Sequence, residues 1–138
     1  CPDRAVIRGT ARWFAPEAGD LLEARLNAVT QGVALAHGCT ARVDCQRRYP
    51  ATINAAAPAA IAREIGAEMG LDCTAAAASM ASEDFAFMLQ KAEGAYLWLG
   101  AGRAGENPGL HSAKFDFNDA ILPQGAEFWV RLAARIAG

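Results

Sequence analysis

The chain has 138 residues with 13 basic and 15 acidic side chains, a formal net charge of −2, and this length suits one domain or two small ones. Hydrophobic residues make up 53% and charged residues 20%, which excludes an intrinsically disordered chain. The arginines are scattered, so nothing marks a nucleic-acid-binding surface. No apolar stretch reaches the roughly 18 residues that span a bilayer. We therefore expect a soluble protein with neither a nucleic-acid nor a membrane partner.

The cysteines and the N-terminus bear on where the protein resides. Cys1, Cys39, Cys45 and Cys73 form no Cys-x-x-Cys pair, and no histidine completes a zinc-binding spacing. We predict reduced, mostly buried thiols, which favours a cytoplasmic location. The chain begins without Met and without the basic and apolar stretches of a signal peptide, so we interpret it as a fragment.

The first part of the chain predicts a strand, a helix and a second strand. Residues 4–14 alternate between apolar and polar side chains, which is typical of a half-buried strand. After Pro16 the apolar residues fall at helical spacing, and His37 followed by Gly38 is typical of a helix end. The helical stripe consists of Leu22, Leu26, Val29 and Val33. Residues 40–46 alternate again and predict a second half-buried strand.

The alternation of apolar and polar residues stops at Tyr49-Pro50, and we place a domain boundary there. Pro58 suits the first turn of a helix that Gly70 closes. The apolar face of that helix consists of Ile61, Ile65 and Met69. Further along, Ser82 can cap a short helix that carries acidic residues in its first turn.

The last part of the chain predicts a buried strand, a loop and a closing helix. Residues 95–99 are an apolar run bounded by glycines, as expected for a strand covered on both faces. Residues 100–105 match a dinucleotide-binding Gly-x-Gly-x-x-Gly pattern, but no helix follows them, so a flexible loop is the better interpretation. The closing helix runs from Pro123 to about Ala137. Its apolar stripe consists of Ala126, Trp129, Ala133 and Ile136.

Taken singly, the polar candidates are open to ordinary structural interpretations. His111 lies between the predicted strand and the closing helix, where a histidine can cap or face solvent as well as bind a metal. Acidic residues at 83–84 suit a helix start through the helix dipole alone. Arg8 and Arg12 lie on the polar side of a predicted strand, and exposed arginines are usually only solvated.

Four short motifs nevertheless occur in one order along the chain. They are Arg8-Gly9-Thr10-Ala11-Arg12, Tyr49-Pro50-Ala51-Thr52-Ile53-Asn54, Ser82-Glu83-Asp84-Phe85-Ala86, and Leu110-His111-Ser112 followed by Phe115-Asp116-Phe117-Asn118. This order resembles the M20 metallopeptidase family, specifically its amidohydrolase branch of hippurate hydrolase and N-acyl-amino-acid hydrolases. The resemblance covers nearly the whole chain, and the last two motifs are the most specific.

The resemblance implies a fold and a division into domains. Members of the family combine a catalytic α/β domain that binds two divalent metal ions with an inserted lid domain that also dimerises. By this resemblance the chain has an α+β and α/β fold. Residues 1–48 are expected to form the second half of a ferredoxin-like lid (dimerisation) domain. Residues 49–138 are expected to form the C-terminal part of a layered α/β metallopeptidase domain.

The resemblance also implies site residues and cofactors. His111 is similar to the terminal metal ligand, and Arg12 to the lid arginine that holds the substrate carboxylate, in some members for the neighbouring subunit. Asn54 and Glu83 match substrate-binding positions near the cleft. Two divalent ions, Zn, Mn, Co or Ni, are expected in the whole enzyme, with none tightly bound by this fragment. The family's other ligands and its general-base glutamate have no counterpart, so no catalytic residue is assigned.

These expectations combine into one function and one alternative. The chain is expected to be the C-terminal fragment of a metal-dependent amidohydrolase that hydrolyses N-acyl amino acids (hippurate-like amides), inactive alone and homodimeric through the lid domain. The alternative is a non-catalytic dimerisation or partner-binding module that uses the exposed sheet edge of residues 4–14.

Overall fold

A computed structural model describes residues 2–105 and 107–138. Its helices are α1 (Pro16–Ala36), α2 (Ala56–Glu68), α3 (Phe85–Leu89) and α4 (Leu122–Ala137), and a 3₁₀ turn at Asp119–Ile121 precedes α4. None of these helices, within the described residues, has the length and apolar character needed to cross a membrane. Two compact units result, the first from the described part of Cys1–Thr52 with Ala77–Met88, the second from Ile53–Ala76 with Leu89–Gly138.

Both long helices before residue 71 end in the same hydrogen-bonded turn. At the end of α1, Gly38 has φ +65° and Cys39 N donates to Ala34 O at 2.8 Å. At the end of α2, Gly70 has φ +72° and Leu71 N donates to Gly66 O at 2.9 Å. Glycine adopts this left-handed backbone without a steric penalty from Cβ. The helix ends predicted at Gly38 and Gly70 are therefore confirmed.

The prediction of an α+β and α/β fold with a ferredoxin-like lid is wrong for this structure. Within residues 2–105 and 107–138, the segments 4–14, 40–46 and 95–99 form no β-strand. A strand requires a ladder of backbone hydrogen bonds to a neighbour. The bond from Ala55 N to Gly94 O, at 2.9 Å, stands alone and does not extend into such a ladder. The sheet edge that the alternative function requires is consequently absent from the described segment 4–14.

Side-chain amides bind backbone groups in two of the segments that were predicted to be strands. Gln31 Nε2, on α1, donates to Ala41 O at 3.0 Å. Asn54 makes two bonds with the backbone of Tyr96, one as donor and one as acceptor. An amide side chain can do this because it carries the same donor and acceptor groups as a peptide unit. The patterns at 40–46 and 95–99 thus did not reveal how the backbone polar groups of these segments are satisfied.

The buried core is small, and most of it lies in the second unit. Its apolar members are Ala62, Ile65, Ala86 and Ile121. Ile65, on α2, is only 1% exposed and is the largest fully buried side chain among the described residues. In the first unit Gly19 is buried on α1, whereas the predicted α1 stripe, residues 22, 26, 29 and 33, is between 43% and 57% exposed.

The packed side of α4 differs from the predicted stripe by one residue position. Helix α4 contacts α2, and its half-buried residues are Gly125, Phe128 and Leu132. Trp129 and Ile136 of the predicted stripe are 64% and 70% exposed. A shift of one position rotates a helix face by about 100°. The apolar half of α4 is wide enough to include both sides, so periodicity alone selected the wrong one.

The described cysteines are all free thiols. Cys39 is exposed, whereas Cys45 and Cys73 are half-buried. The Sγ atom of Cys73 lies against Gly66, so closely that a Cβ on that glycine would collide with it. The expectation of mostly buried thiols is therefore too strong for Cys39, and Cys1 lies outside the described residues.

Candidate functional site

Hydrogen bonds and an ion pair join the two ends of the loop that carries His111. Arg103 Nη2 donates to Asp116 Oδ2 at 2.8 Å and to Asp116 O at 3.2 Å. Asn118 Nδ2 donates to Gly102 O at 3.2 Å. Near the first end, Asn107 Nδ2 donates to Arg103 O at 2.6 Å. These contacts of Arg103 and Asn118 were not predicted from the sequence, which indicated only a flexible glycine-rich loop.

His111 lies at a tight turn in this loop, with a left-handed backbone. Ser112 N donates to Gly109 O at 3.1 Å, so His111 is the third residue of a four-residue turn. Its φ of +69° is positive, as that position requires in a type II turn. A residue with a Cβ adopts this conformation at a cost, and such residues concentrate at functional sites. The His111 side chain is exposed to solvent.

The described residues contribute one candidate ligand rather than a complete metal site. Within residues 2–105 and 107–138, no group of three or more His, Cys, Asp or Glu side chains is placed to hold a metal ion. A zinc site in a protein commonly uses three or four protein ligands. The imidazole of His111 therefore fits the role of one ligand, but the residues present do not fit a metal ion on their own.

Arg12, the predicted carboxylate-binding residue, is exposed in the first unit. Its Nη1 donates to Thr10 Oγ1 at 3.2 Å. Among the described residues no carboxylate forms an ion pair with it. A guanidinium has five N–H donors, so most of the hydrogen-bonding capacity of Arg12 is available to a bound anion.

Arg47, by contrast, is fully engaged by acidic residues of α1. Its Nη2 lies 2.7 Å from Glu23 Oε2, and its Nη1 lies 2.7 Å from Asp20 Oδ1. The hydrogen bonds to Glu23 and then Asp20 raise the pKa of the Arg47 guanidinium. Its Cζ lies 5.9 Å from the centroid of the Trp13 ring. Sequence reasoning missed this cluster because its members lie far apart in the chain.

Asn54 is committed to the backbone of Tyr96 in the second unit. Asn54 Nδ2 donates to Tyr96 O at 2.9 Å, and Tyr96 N donates to Asn54 Oδ1 at 2.8 Å. Both polar atoms of the carboxamide thus have a protein partner. The substrate-binding role assigned to Asn54 stays a prediction, and the structure gives it a contact of a different kind.

Replacing Asn54 with alanine is expected to destabilise the second unit by about 1 kcal/mol, because two exposed hydrogen bonds to the same backbone are lost. The free energy of unfolding in urea measures this loss. Asn27→Ala is the control, since Asn27 donates a single bond within α1, where alanine is the more favourable residue. Equal stability of Asn54→Ala and wild type would show that the pairing contributes nothing.

Glu83 lies at the start of α3, beside a second carboxyl group. Its Oε1 accepts a hydrogen bond from Phe85 N at 3.5 Å, and its side chain is half-buried. A hydrogen bond with Glu83, and then the charge of Glu83, raise the pKa of Asp84. Helix α3 buries Ala86 completely, whereas Met88 is 63% exposed.

Replacing Asp84 with asparagine is expected to raise the midpoint of thermal unfolding at pH 7. Because the pKa of Asp84 is raised in the folded state, its ionised form opposes folding above that pKa. This cost disappears as the pH falls through the folded pKa towards the ordinary value of about 3.9. The gain should therefore shrink on acidification. Asp44→Asn, which removes another exposed carboxylate of the first unit, is the control, and a gain independent of pH would contradict the prediction.

The comparison with known families concerns nearly the whole chain. The sequence profile of peptidase family M20/M25/M40 matches residues 5–135. The chain belongs to this family. The resemblance drawn from the four motifs is thus confirmed, although the strands expected with it are not found in the described residues.

Several curated proteins are similar to this M20 chain. An uncharacterized hydrolase y4tI of Sinorhizobium fredii is 33% identical over 133 residues, covering 95% of this chain and 33% of that protein. The putative amidohydrolase YhaA of Bacillus subtilis is 31% identical over 134 residues, covering 91% and 33%. An N-acetyldiaminopimelate deacetylase of Anoxybacillus flavithermus is 28% identical over 134 residues, covering 94% and 34%.

The match to these M20 relatives is partial in length. The chain spans about a third of each of the curated relatives it matches. No solved structure gives a significant match to it. The relatives are named as hydrolases, an amidohydrolase and a deacetylase, so the family to which this chain belongs is one of hydrolytic enzymes.

Proposed function

We propose that the chain is the C-terminal part of a metal-dependent amidohydrolase that cleaves the amide bond of N-acyl amino acids. The observation that carries this proposal is the placement of His111. By the family resemblance His111 corresponds to a metal ligand, and in the structure it lies at a turn with φ +69°, in a loop whose ends are joined by contacts of Arg103 and Asn118. The names of the relatives, among them an amidohydrolase and a deacetylase, support the reaction class.

Each candidate residue has a distinct proposed role. His111 would supply its imidazole as a ligand to one ion of a site that holds two divalent ions, Zn, Mn, Co or Ni, and the other ligands of that site would belong to a part of the polypeptide outside these 138 residues. Arg12 binds the carboxylate of the amino-acid portion through its guanidinium fork. Asn54 and Glu83 lie near the substrate, and the chain on its own is inactive because it lacks the remaining ligands and the general base.

A homodimer formed through the first unit is part of this proposal. The apolar stripe of α1 supports it, because four aliphatic side chains at helical spacing are about half exposed. Such a face is typical of a surface that another protein molecule covers. In a dimer, Arg12 of one subunit can serve the substrate bound by the other.

The proposal is tested with a chimera in which residues 1–138 replace the matching third of the Bacillus subtilis relative. Hydrolysis of N-benzoylglycine and N-acetyl amino acids, and the metal content of the purified protein, are measured with and without a chelator. We expect metal-dependent hydrolysis by the chimera and none by the 138-residue chain alone.

The control is the Bacillus subtilis part of the chimera expressed alone, without residues 1–138. Hydrolysis by that truncated control at the rate of the chimera would contradict the proposal, because the activity would then not need this chain. Retention of full activity after removal of the metal would contradict the metal-dependent part of it.

A further inference from the structure

The packing around Trp13 bears on the position of Arg12, the residue that precedes it. We propose that Trp13 is a positioning residue for Arg12: its indole is held between Gly19 and Arg47, and this anchors the backbone from which the Arg12 guanidinium reaches substrate. This inference rests on the proposed function, in which Arg12 binds the substrate carboxylate. Trp13 itself does not touch the substrate.

The first contact is between the indole and the first turns of α1. A Cβ placed on Gly19 would lie 2.5 Å from Trp13 Cε2 and 2.6 Å from Trp13 Nε1. Real Cβ atoms are not found at such distances, so the indole occupies the space that any side chain at position 19 would need. Gly19 is buried, although it lies on a helix whose apolar stripe is exposed. The ring therefore holds residue 13 against the helix.

The second contact lies with Arg47. Its Cζ is 5.9 Å from the ring centroid, within the range of a cation–π interaction. Asp20 and Glu23 of α1 form ion pairs with its two terminal nitrogens, each at 2.7 Å, which place the guanidinium beside the ring. The indole thus contacts Gly19, which belongs to α1, and Arg47, which is ion-paired with α1.

The exposure of Arg12 contrasts with that of Trp13. Trp13 is half-buried with its indole against Gly19, whereas Arg12, the preceding residue, is exposed. Thr10 accepts a hydrogen bond from Arg12 Nη1 at 3.2 Å. A guanidinium held in this way loses less conformational entropy when a carboxylate binds.

The decisive measurement is the mobility of arginine side chains in the full 138-residue chain, from ¹⁵N relaxation of the Nε–Hε groups. Arg8, an exposed arginine on the same segment, is the internal reference. We expect Arg12 to be more ordered than Arg8 in the wild type. Trp13→Ala should lower the order of Arg12 to that of Arg8, and Trp13→Phe, which keeps a ring against Gly19, should retain most of it.

A substitution of Trp98 controls for the loss of an indole elsewhere. Trp98 is 62% exposed and belongs to the second unit, so Trp98→Ala should leave Arg12 as ordered as in the wild type. The inference is overturned if Arg12 is as mobile as Arg8 in the wild type, or if Trp13→Ala leaves its order unchanged while the backbone amide spectrum stays that of a folded protein. Gly19→Ala, which displaces the indole without removing it, provides a second variant.

The values of KM and kcat for the chimera distinguish a positioning role from a purely structural one, because loss of structure alone would affect substrates with and without a carboxylate equally. Trp13→Ala should raise KM for N-benzoylglycine about tenfold and change kcat less than about twofold. The lost interaction with the carboxylate is made equally with the bound substrate and with the transition state, so its loss weakens binding without slowing the bound substrate's reaction. N-benzoylglycinamide, which lacks the carboxylate, should be unaffected. An equal loss with both substrates overturns the positioning role. If the chimera hydrolyses neither substrate, the proposed function fails, whereas the mobility measurement still decides the inference.

Discussion

Replacing His111 with glycine or alanine in the chimera is expected to lower metal content and to reduce hydrolysis by more than about 100-fold, since even an outer-shell partner of a metal ligand is worth 10–100-fold. The two variants remove the same imidazole but differ in the backbone. Because His111 has φ +69°, glycine fits the turn better, and His111→Gly should be about 1 kcal/mol more stable than His111→Ala. Metal analysis, N-benzoylglycine hydrolysis and urea unfolding measure the three quantities.

The other histidine of the chain provides a matched control. His37 is exposed at the end of α1, and its backbone N–H donates to Ala34 O at 3.1 Å. His37→Ala should keep both the metal and the activity. A His111→Gly chimera that binds metal and hydrolyses substrate normally would show that the ligand role carried over from the family motif is wrong.

The features that the sequence predicted correctly are those decided over a few residues. A glycine after a helical stripe is sufficient to predict the ends of α1 and α2, because the turn bonds involve only residues within five positions of Gly38 and Gly70. The predicted strands failed for the opposite reason. A strand depends on a distant partner, and at residue 96 the partner is the side chain of Asn54, 42 positions away. No local pattern reveals such a pairing.

In the candidate site, too, the sequence predicted features that depend on neighbouring residues and missed contacts between residues far apart in the chain. The motif containing His111 could be found from residue order, but its left-handed backbone could not, since nothing in the side chain of a histidine requires φ +69°. The tie between Arg103 and Asp116 joins residues 13 positions apart in a loop without periodicity. Arg12 and Arg47 look alike in sequence. Only the structure shows that Arg47 is paired with Asp20 and Glu23, whereas Arg12 makes no described ion pair.

Replacing Ile65 with alanine is expected to destabilise the second unit by about 3 kcal/mol, within the range measured for buried aliphatic residues. Ile65 is 1% exposed and is the largest fully buried side chain described. The described core has few other apolar members, so a cavity at position 65 removes a large share of the apolar burial described for the second unit. The midpoint of urea unfolding should fall without a change in the final unfolded signal.

The same substitution at an exposed site separates this effect from the loss of an isoleucine as such. Ile136 on α4 is 70% exposed, so Ile136→Ala should change the free energy of unfolding by less than about 0.5 kcal/mol. Equal losses at positions 65 and 136 would mean that both side chains are buried to the same extent in solution. Ile136 belongs to the side of α4 that was predicted to be buried, so its variant also tests which side of α4 is packed. A large loss at Ile136 would support the predicted stripe, whereas a small loss supports the side with Phe128 and Leu132, which are half-buried in the structure.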